Sequence, residues 1–370
     1  MTLQYRAAVL HAANTPMSIE TVTLAALKPT DVLVRIRAAG LCHTDLEVIE
    51  GSLRYPLPIV LGHEAAGVVE QIGAAARGMR EGDHVVLSWN PHCGHCFYCD
   101  RDAPILCEQY LGEGPKALPF DGESRIRLAD GRSLQQLMFL GSFAEYCIVS
   151  DQQAIPVPKE IPFDRACLIG CGVMTGVGAA LNLGAIAHGD TVMVIGCGAV
   201  GLSAVQGARL AGAGAIIAVD IDPAKLDLAQ RLGATQGVNQ SSDDAVAVGK
   251  SQTSGRGVDV VIEAAGSAAA FQITTEAVRP GGQVIWLGKI DVSKDVSFRW
   301  GSLMQEKRIR RVSYGNARPR RDFPLLARAY LDGSLMLDEL ISRRITLDEI
   351  NDGFGALKRG EAIRSVVIFD

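Results

Sequence analysis

The 370-residue sequence lacks a strong charge of either sign. Lys and Arg total 36 and Asp and Glu total 41, which gives a net charge of -5 and an isoelectric point near 5.9. Proteins that bind nucleic acid through its phosphates usually carry a basic face. The basic run KRIRR at residues 307–311 is too short to form one. We therefore expect no nucleic-acid partner, and a solvated or domain-junction position for this run.

Long apolar runs are also missing. The longest, residues 192–205, is interrupted by glycines and is shorter than the ~20 residues that a membrane-spanning helix needs. The first residues, MTLQYR, contain no basic segment followed by an apolar one, so no secretory signal peptide is predicted. With 48% hydrophobic and 21% charged residues, the composition is that of an ordinary globular protein. We expect a cytoplasmic protein without membrane contact, built from about two domains.

Cysteine is present nine times, which in a cytoplasmic chain favours metal binding over disulfides. Four cysteines with spacings of three, three and eight predict a closed, all-thiolate structural zinc site: Cys93, Cys96, Cys99 and Cys107. An iron–sulfur cluster is the alternative, but the bacterial ferredoxin pattern has its own spacing and a proline after its last cysteine, where this chain has Glu108. Cys147 and Cys167 lie among apolar residues and are predicted to be small buried side chains.

A second set of metal-binding residues is spread over the first half of the chain. Cys42, His63 and Cys171 are two thiols and an imidazole, the ligand types that a catalytic zinc uses when its fourth position stays open. Taken alone, His63 is a weak signal, and the glycines on either side of Cys171 permit a close approach to a metal without requiring it. The three residues together predict a zinc site that can accept a substrate.

A dinucleotide fingerprint follows in the second half. A predicted strand at residues 191–195 leads into the sequence GCGAVG, then into a helix to about residue 212 and a strand at 215–219 that ends at Asp220. The glycines permit a tight turn and a close approach of the pyrophosphate, and the helix N-terminus offers unpaired N–H groups. The loop residues predicted to bind the cofactor are Gly196, Gly198, Ala199, Val200 and Gly201, with Cys197 as a small filler.

An acidic residue at the end of the second strand decides which cofactor is preferred. Asp220 is predicted to bind the adenosine ribose hydroxyls and to repel a 2′-phosphate, so NAD is favoured over NADP. Asp222 is the alternative acid. Further strands at 258–262 and 283–287, with a helix around 268–278, predict a doubly wound parallel sheet. Short β-branched segments at 32–38, 66–72 and 84–89 predict a strand-rich first part, so the fold class is α/β.

The sequences GLCHTD at residues 40–45 and GHE at 62–64, continued by Gly67, Gly73 and Ala76, resemble the signature of zinc-containing medium-chain alcohol dehydrogenases. The resemblance runs from about Arg6 to the end of the chain. It implies a GroES-like β-rich catalytic domain (residues 1–172 and 315–370, with the structural zinc lobe at 92–108) and a Rossmann NAD-binding domain (173–314). Residues 364–368 resemble the strand that closes the catalytic domain. Residues 111–132 are similar to the longer, liver-type branch, in which homodimers are usual.

The resemblance also implies roles for individual residues. It makes Cys42, His63 and Cys171 the ligands of a catalytic zinc, places the Asp45 carboxylate behind the His63 ring, and puts Glu64 beside the metal. Thr44 would receive the alcohol proton, and Glu47 stands where liver-type relatives end the proton relay at a histidine. The cofactor contacts implied outside the glycine-rich loop are His43, Thr175, Lys225 and Arg364. The implied reaction is reversible hydride transfer from an alcohol to NAD, with two zinc ions per chain.

The family's substrate channel corresponds here to six positions: Leu53, Leu57, Trp89, Phe139, Leu140 and Ile290. A large indole near the metal favours flat or slender primary alcohols, such as aromatic or allylic ones. Lys289, unexpectedly charged beside this set, indicates an anionic substrate group or a dimer contact.

Three alternatives stay open. A glutathione-dependent formaldehyde dehydrogenase is one, although Leu111 occupies the position at which those relatives hold the glutathione carboxylate with arginine. A zinc-independent quinone or enoyl reductase of the same fold would need neither cysteine group. A non-enzymatic zinc- or nucleotide-binding protein would need a blocked site or a broken fingerprint, and neither departure is visible in the sequence.

Overall fold

A computed structural model describes residues 3–370 and divides the chain into two compact units. The first comprises the residues up to Cys171 together with Arg318–Asp370, and the second comprises Gly172–Ala317. The chain therefore leaves the first unit once and returns to it.

The strands before Cys171 are β1 (Gln4–Leu10), β2 (Ser18–Leu24), β3 (Asp31–Gly40), β4 (Ile59–Val60), β5 (Ala65–Ile72), β6 (His84–Leu87), β7 (Ile126–Leu128), β8 (Ser133–Gln136), β9 (Tyr146–Ser150) and β10 (Ala154–Pro156). The second unit contains β11 (Thr191–Ile195), β12 (Ala215–Asp220), β13 (Gln236–Asn239), β14 (Val258–Glu263), β15 (Val278–Trp286) and β16 (Arg308–Arg311). Two strands follow the return to the first unit, β17 (Ile341–Ile345) and β18 (Arg364–Ile368).

The helices are α1 (His43–Ile49), α2 (Glu108–Glu113), α3 (Phe163–Leu168), α4 (Met174–Gly178), α5 (Ala199–Leu210), α6 (Pro223–Arg231), α7 (Ala245–Ser251), α8 (Ala268–Ala277), α9 (Pro319–Leu331) and α10 (Ile350–Lys358). A continuous helical stretch, Phe163–Leu183, is long and apolar enough to cross a membrane by length and composition, but 72% of its apolar 18-residue window is buried inside the protein. A buried core helix passes the same test, so this stretch is weak support for a membrane span.

The first unit is built around β3. Strands β1, β2, β7, β8 and β4 form a closed barrel, and a seven-stranded sheet runs in the order β10-β6-β5-β3-β18-β17, with β9 also paired to β3. All but two of the ten β3 residues are buried, which is expected for a strand covered on both faces. Because β3 ends at Gly40, it delivers the chain directly to Leu41 and Cys42, both of which are buried.

The second unit contains the predicted doubly wound sheet. Six strands lie in the order β13-β12-β11-β14-β15-β16, and every neighbouring pair is parallel. Apolar residues fill β11, β12 and β14, as in strands with helices on both faces. The predicted α/β class, with a strand-rich first unit and a doubly wound parallel sheet in the second, is thus confirmed.

Several predicted ends were displaced. The strand expected at 84–89 ends at Leu87, and the helix expected to reach residue 212 ends at Leu210, because Gly212 takes a φ of +88° and turns the chain. Strand β15 begins at Val278, five residues before its predicted start. The prediction missed these residues because they include Pro280 and two glycines, which are rare inside strands. Cys147 and Cys167 are fully buried, as predicted.

Candidate active site

Three segments of the first unit bring the predicted metal ligands together. Cys42 immediately precedes α1, and Cys171 lies in a π-helical turn, Ile169–Val173, a conformation that recurs at functional sites. Gly170 allows this turn to lie against β6, since a Cβ there would come within 2.8 Å of the Leu87 carbonyl oxygen. His63 follows Gly62, whose φ of +95° few other residues adopt. The ligand atoms of Cys42, His63 and Cys171 all lie within 4.8 Å of one another.

A buried carboxylate orients the imidazole. Asp45 Oδ1 accepts hydrogen bonds from the Gly62 amide at 2.9 Å and from His63 Nδ1 at 3.2 Å. The other ring nitrogen, His63 Nε2, is buried and has no hydrogen-bond partner among residues 3–370. A lone buried acceptor facing two thiols fits a metal ion, because a buried polar atom normally has a partner.

The electrostatics of this group favour a cation. The hydrogen bond from Cys171 lowers the pKa of the Cys42 thiol well below its usual value, and the same interaction raises the pKa of Cys171. Burial lowers the pKa of His63, but the charges of Asp45 and Cys42 outweigh this effect and raise it. The donor set thus consists of one thiolate, a neighbouring thiol that resists ionisation, and an imidazole whose other nitrogen is bonded to a carboxylate. A divalent ion would stabilise this set.

Glu64 and Arg364 form a buried ion pair beside these ligands. Arg364 Nε lies 3.2 Å from Glu64 Oε2, and its Nη2 lies 3.9 Å from the Cys42 sulfur. Both side chains are buried. Gly40 makes the room: a Cβ there would lie 2.3 Å from Glu64 Oε2.

The four remaining predicted zinc ligands form a second cluster. The sulfurs of Cys93, Cys96, Cys99 and Cys107 lie within 4.8 Å of one another. The backbone amides of Cys93 and Glu108 point at the sulfurs of Cys107 and Cys96, at 3.3 and 3.5 Å. The Glu108 amide lowers the pKa of Cys96 to about 6. Four convergent thiols with amide donors match the geometry of a closed structural zinc site.

The glycine-rich loop lies between β11 and α5. Gly196 has a φ of +90°, and a Cβ on Gly201 would lie 1.7 Å from the Gly196 carbonyl oxygen, so neither position admits a side chain. Asp220 Oδ2 accepts a hydrogen bond from the Cys197 amide at 2.6 Å, which holds the acid against the loop. Asp222 instead caps α6 by accepting from the Ala224 amide.

Sequence reasoning missed Glu263, a fully buried carboxylate at the end of β14. Its Oε1 accepts hydrogen bonds from the amides of Ala265 and Gly266, at 2.8 and 2.6 Å, and burial raises its pKa. A Cβ on Gly196 would lie 2.6 Å from the Ala265 nitrogen, so Glu263 braces the turn against which the glycine-rich loop rests. The signal was an acid that directly follows three apolar residues at the end of a buried strand.

The other predicted site residues are distributed over both units. In the first unit, Thr44 and Glu47 are half-buried on α1, whereas His43 is exposed. In the second unit Thr175 is half-buried on α4, and Lys225 Nζ lies 3.9 Å from Asp222 Oδ2.

Of the predicted substrate-channel residues, five belong to the first unit. Phe139 and Leu140 are buried in its interior, Leu53 and Trp89 pack partly buried against the core, and Leu57 is exposed. Ile290 belongs to the second unit. Tyr110, which the sequence analysis overlooked, lies between Trp89 and Phe139, with ring centroids 6.1 and 5.6 Å away. Burial raises the pKa of Tyr110.

Comparison with known proteins agrees with this geometry. Residues 28–159 match the model of the alcohol dehydrogenase GroES-like domain, and residues 199–331 match that of the zinc-binding dehydrogenase family. The chain is 36% identical to S-(hydroxymethyl)glutathione dehydrogenase of Saccharomyces cerevisiae, over 98% of this chain and 96% of that protein. It is 37% identical to the NDMA-dependent alcohol dehydrogenase of Amycolatopsis methanolica, over 99% of both.

A solved structure gives the same picture. Benzyl alcohol dehydrogenase from Acinetobacter calcoaceticus is similar over 100% of both chains, with a TM-score of 0.94 and 30% identity. Within such enzymes the four-thiol cluster fits a structural zinc, and Cys42, His63 and Cys171, together the Cys42 group, fit a catalytic zinc. NAD is the typical dinucleotide. Two family models and near-complete alignment with these relatives therefore show that the chain belongs to the zinc-binding alcohol dehydrogenase family and is an oxidoreductase of alcohols.

Proposed function

We propose that this enzyme catalyses the reversible NAD-dependent oxidation of small primary alcohols to aldehydes, with aromatic and allylic alcohols preferred. One observation carries the proposal: His63 Nε2 is buried without a partner, within 4.8 Å of the sulfurs of Cys42 and Cys171. Only these three residues form the group within the described part of the chain. Three protein ligands leave a fourth coordination position for substrate.

Cys42, His63 and Cys171 hold the catalytic zinc in this proposal. When both groups are bound, zinc polarises the alcohol oxygen as a Lewis acid and NAD accepts the hydride. Asp45 keeps the Nδ1 proton on the His63 ring and so keeps Nε2 available as a ligand. Arg364 stabilises Glu64 as a carboxylate beside the ligand group and offsets part of its negative charge.

The alcohol proton leaves through α1. Thr44 and Glu47 are three residues apart on this helix, which places their side chains on one face. Thr44 Oγ1 would accept the alcohol proton while its own hydroxyl proton passes into a relay through the cofactor ribose, and Glu47 would release a proton to solvent at the end of that relay. His43 and Thr175 bind the pyrophosphate and nicotinamide parts of the cofactor.

An aromatic group supports the choice of substrate. Trp89 and Phe139 are each in ring contact with Tyr110. Aromatic side chains favour flat apolar ligands. The similarity to an enzyme named for benzyl alcohol points the same way. Leu53, Leu57 and Leu140 of the first unit complete this side-chain group in the proposed substrate pocket.

The proposed cofactor contacts follow the same logic. The loop from Gly196 to Gly201 receives the pyrophosphate, Asp220 binds the ribose hydroxyls, and Lys225 and Arg364 contact the ribose and phosphates. Asp222 is already engaged as a helix cap, which favours Asp220 as the ribose acid.

We further propose a cytoplasmic homodimer. All nine cysteines are free, as expected in a reducing compartment.

Strand β16 is an edge strand of the second unit with four exposed residues, and exposed apolar side chains are concentrated near it in sequence, at Val292, Trp300, Met304 and Ile309. Exposed apolar clusters and free strand edges are typical of interfaces. Size-exclusion chromatography with light scattering would give twice the chain mass, and Trp300→Lys would shift it towards the monomer.

The test combines metal analysis with turnover. Purified wild type, Cys42→Ala and the control Cys147→Ala are assayed for zinc per chain and for NAD reduction with benzyl alcohol. We expect about two zinc ions in the wild type and the control, about one in Cys42→Ala, and loss of turnover only in Cys42→Ala. Wild-type enzyme with two zinc ions and no activity on any primary alcohol would contradict the proposal.

A second arm separates the proposal from glutathione-dependent formaldehyde oxidation. S-(hydroxymethyl)glutathione is compared with benzyl alcohol, because a relative is named for the former. Leu111 is exposed on α2 and offers no cation for a carboxylate. We therefore expect a higher kcat/KM for benzyl alcohol, and the reverse order would favour the glutathione adduct.

A further inference from the structure

The second unit contains a basic cleft of about 720 Å³ that the proposed reaction does not use. Its lining contains five cationic side chains and one carboxylate, Glu276. The cations are Lys250, Arg256, Arg279, Arg299 and Lys307. In a chain with a net charge of -5, so strong a local excess of positive charge calls for a physical explanation.

Two of the five cations are already paired. Arg299 Nη2 contacts both carboxylate oxygens of Glu276 at 2.8 Å, and Arg279 Nε lies 2.6 Å from Asp259 Oδ1. Within residues 3–370, no carboxylate lies within 4.0 Å of the charged nitrogens of the other three. These three, Lys250, Arg256 and Lys307, give the cleft its uncompensated charge.

Lys307 is the most restrained of the three. Its Nζ donates to the Thr275 carbonyl oxygen at 2.7 Å, which fixes the ammonium at the wall of the cleft. Burial lowers its pKa, and the charges of Lys250 and Arg299 lower it further against the opposite effect of Glu276. The buried Ser302 hydroxyl, which bonds to Thr275 Oγ1 at 3.0 Å, adds a polar group to the same wall.

The cleft is separate from the glycine-rich loop. Arg256 precedes β14, Lys307 precedes β16, and Arg279 lies at the start of β15, so the cleft is at the amino-terminal edge of the parallel sheet. The glycine-rich loop follows the carboxyl end of β11. Parallel strands place these two sites at opposite edges of one sheet, and dinucleotides bind at the carboxyl edge.

We propose that this cleft binds a small polyanion with at least two clustered negative charges, of the pyrophosphate or tricarboxylate class, at a site distinct from the dinucleotide site. Such a ligand neutralises Lys250, Arg256 and Lys307 together and relieves their mutual repulsion. Guanidinium and ammonium groups form charge-assisted hydrogen bonds with phosphate and carboxylate oxygens alike.

The test is calorimetric titration of the NAD-saturated holoenzyme with pyrophosphate and, separately, with citrate. We expect one site per chain, with affinity that falls as salt is added, since exposed charges are screened. Lys307→Gln and Arg256→Gln should each weaken binding about tenfold, which corresponds to the loss of one charge-assisted contact. Lys159→Gln, an exposed lysine of the first unit, is the matched control and should bind as the wild type does.

Tighter binding of pyrophosphate than of citrate would assign a phosphate ligand, and the reverse would assign a carboxylate ligand. The proposal is overturned if neither anion binds, if the anion displaces NAD, or if both cleft variants bind as tightly as the control. Each variant is checked for unchanged NAD binding, so a folding defect cannot imitate the loss.

Discussion

His63 Nδ1 lies 3.2 Å from Asp45 Oδ1, and neither side chain reaches solvent. The same oxygen accepts the Gly62 amide, so one carboxylate fixes both the imidazole and the loop that carries it. We expect Asp45→Asn to weaken zinc binding by Cys42, His63 and Cys171 by about 10- to 100-fold, because the ligating imidazole loses its negatively charged partner. Chelator competition measures the loss.

Two internal checks accompany this variant. The four-thiol cluster should keep its zinc, which reports an intact first unit. Asp227→Asn, at an exposed position on α6, should leave both metals unchanged. Equal loss of zinc from the two clusters would mean that Asp45 acts on folding rather than on His63.

The buried pair of Arg364 and Glu64 predicts a stability effect. Arg364→Met should lower the free energy of unfolding by about 3–5 kcal/mol, because it leaves the Glu64 carboxylate buried near the Cys42 sulfur without a counter-charge. Adding Glu64→Gln should restore much of the loss. Urea denaturation gives these values. Arg359→Met removes an exposed ion pair with Glu361 and should change little. No recovery in the double variant would refute the charge argument.

Glu263 should affect cofactor binding without touching the reaction. Glu263→Ala leaves the Ala265 and Gly266 amides without their acceptor, and we expect the Kd for NAD to rise about tenfold. Glu263→Gln keeps an oxygen in place and should rescue most of the affinity. At saturating NAD, kcat should stay near the wild-type value. A fall in kcat with unchanged Kd would contradict a positioning role, and Asp295→Ala serves as the exposed control.

Cofactor choice should depend on Asp220. Asp220→Asn removes the charge that repels a 2′-phosphate, so the kcat/KM ratio of NADP to NAD should rise about tenfold or more. Asp222→Asn alters the cap of α6 and the ion pair with Lys225 but not the proposed ribose acid, and should change the ratio much less. Steady-state kinetics with both cofactors decides between the two acids, and a larger effect of Asp222→Asn would reverse the assignment.

Acid stability should depend on Asp121. Burial would raise the pKa of Asp121, but Arg125 and Lys28 outweigh it and hold this pKa well below its usual value. The stabilisation is therefore complete above the unfolded-state pKa of about 4, and is lost as pH falls below it. Asp121→Asn should be less stable near neutral pH and lose stability less steeply in acid. If the stability of the wild type and that of the variant fell equally steeply in acid, Asp121 would be excluded as a source of the acid dependence.

The sequence alone determined the chemistry of this protein. Thiol spacing predicted a structural zinc at four cysteines, and a glycine pattern after an apolar strand predicted the parallel dinucleotide-binding sheet, because both signals are local in the chain. The residue types that bind a metal and the glycines that a tight loop needs are determined by short-range chemistry. A single sequence is therefore enough to reveal them.

Only the tertiary structure decided how distant residues act together. Arg364 is 300 residues from Glu64, and nothing local indicates that β18 brings it beside β3 and the Cys42 sulfur. Neither Glu263 nor Tyr110 belongs to a sequence motif. Glu263 supports a turn and Tyr110 completes an aromatic group, and both roles depend on packing. The basic cleft likewise forms from four separate segments, and the sum of their charges is visible only once the parallel sheet has assembled them.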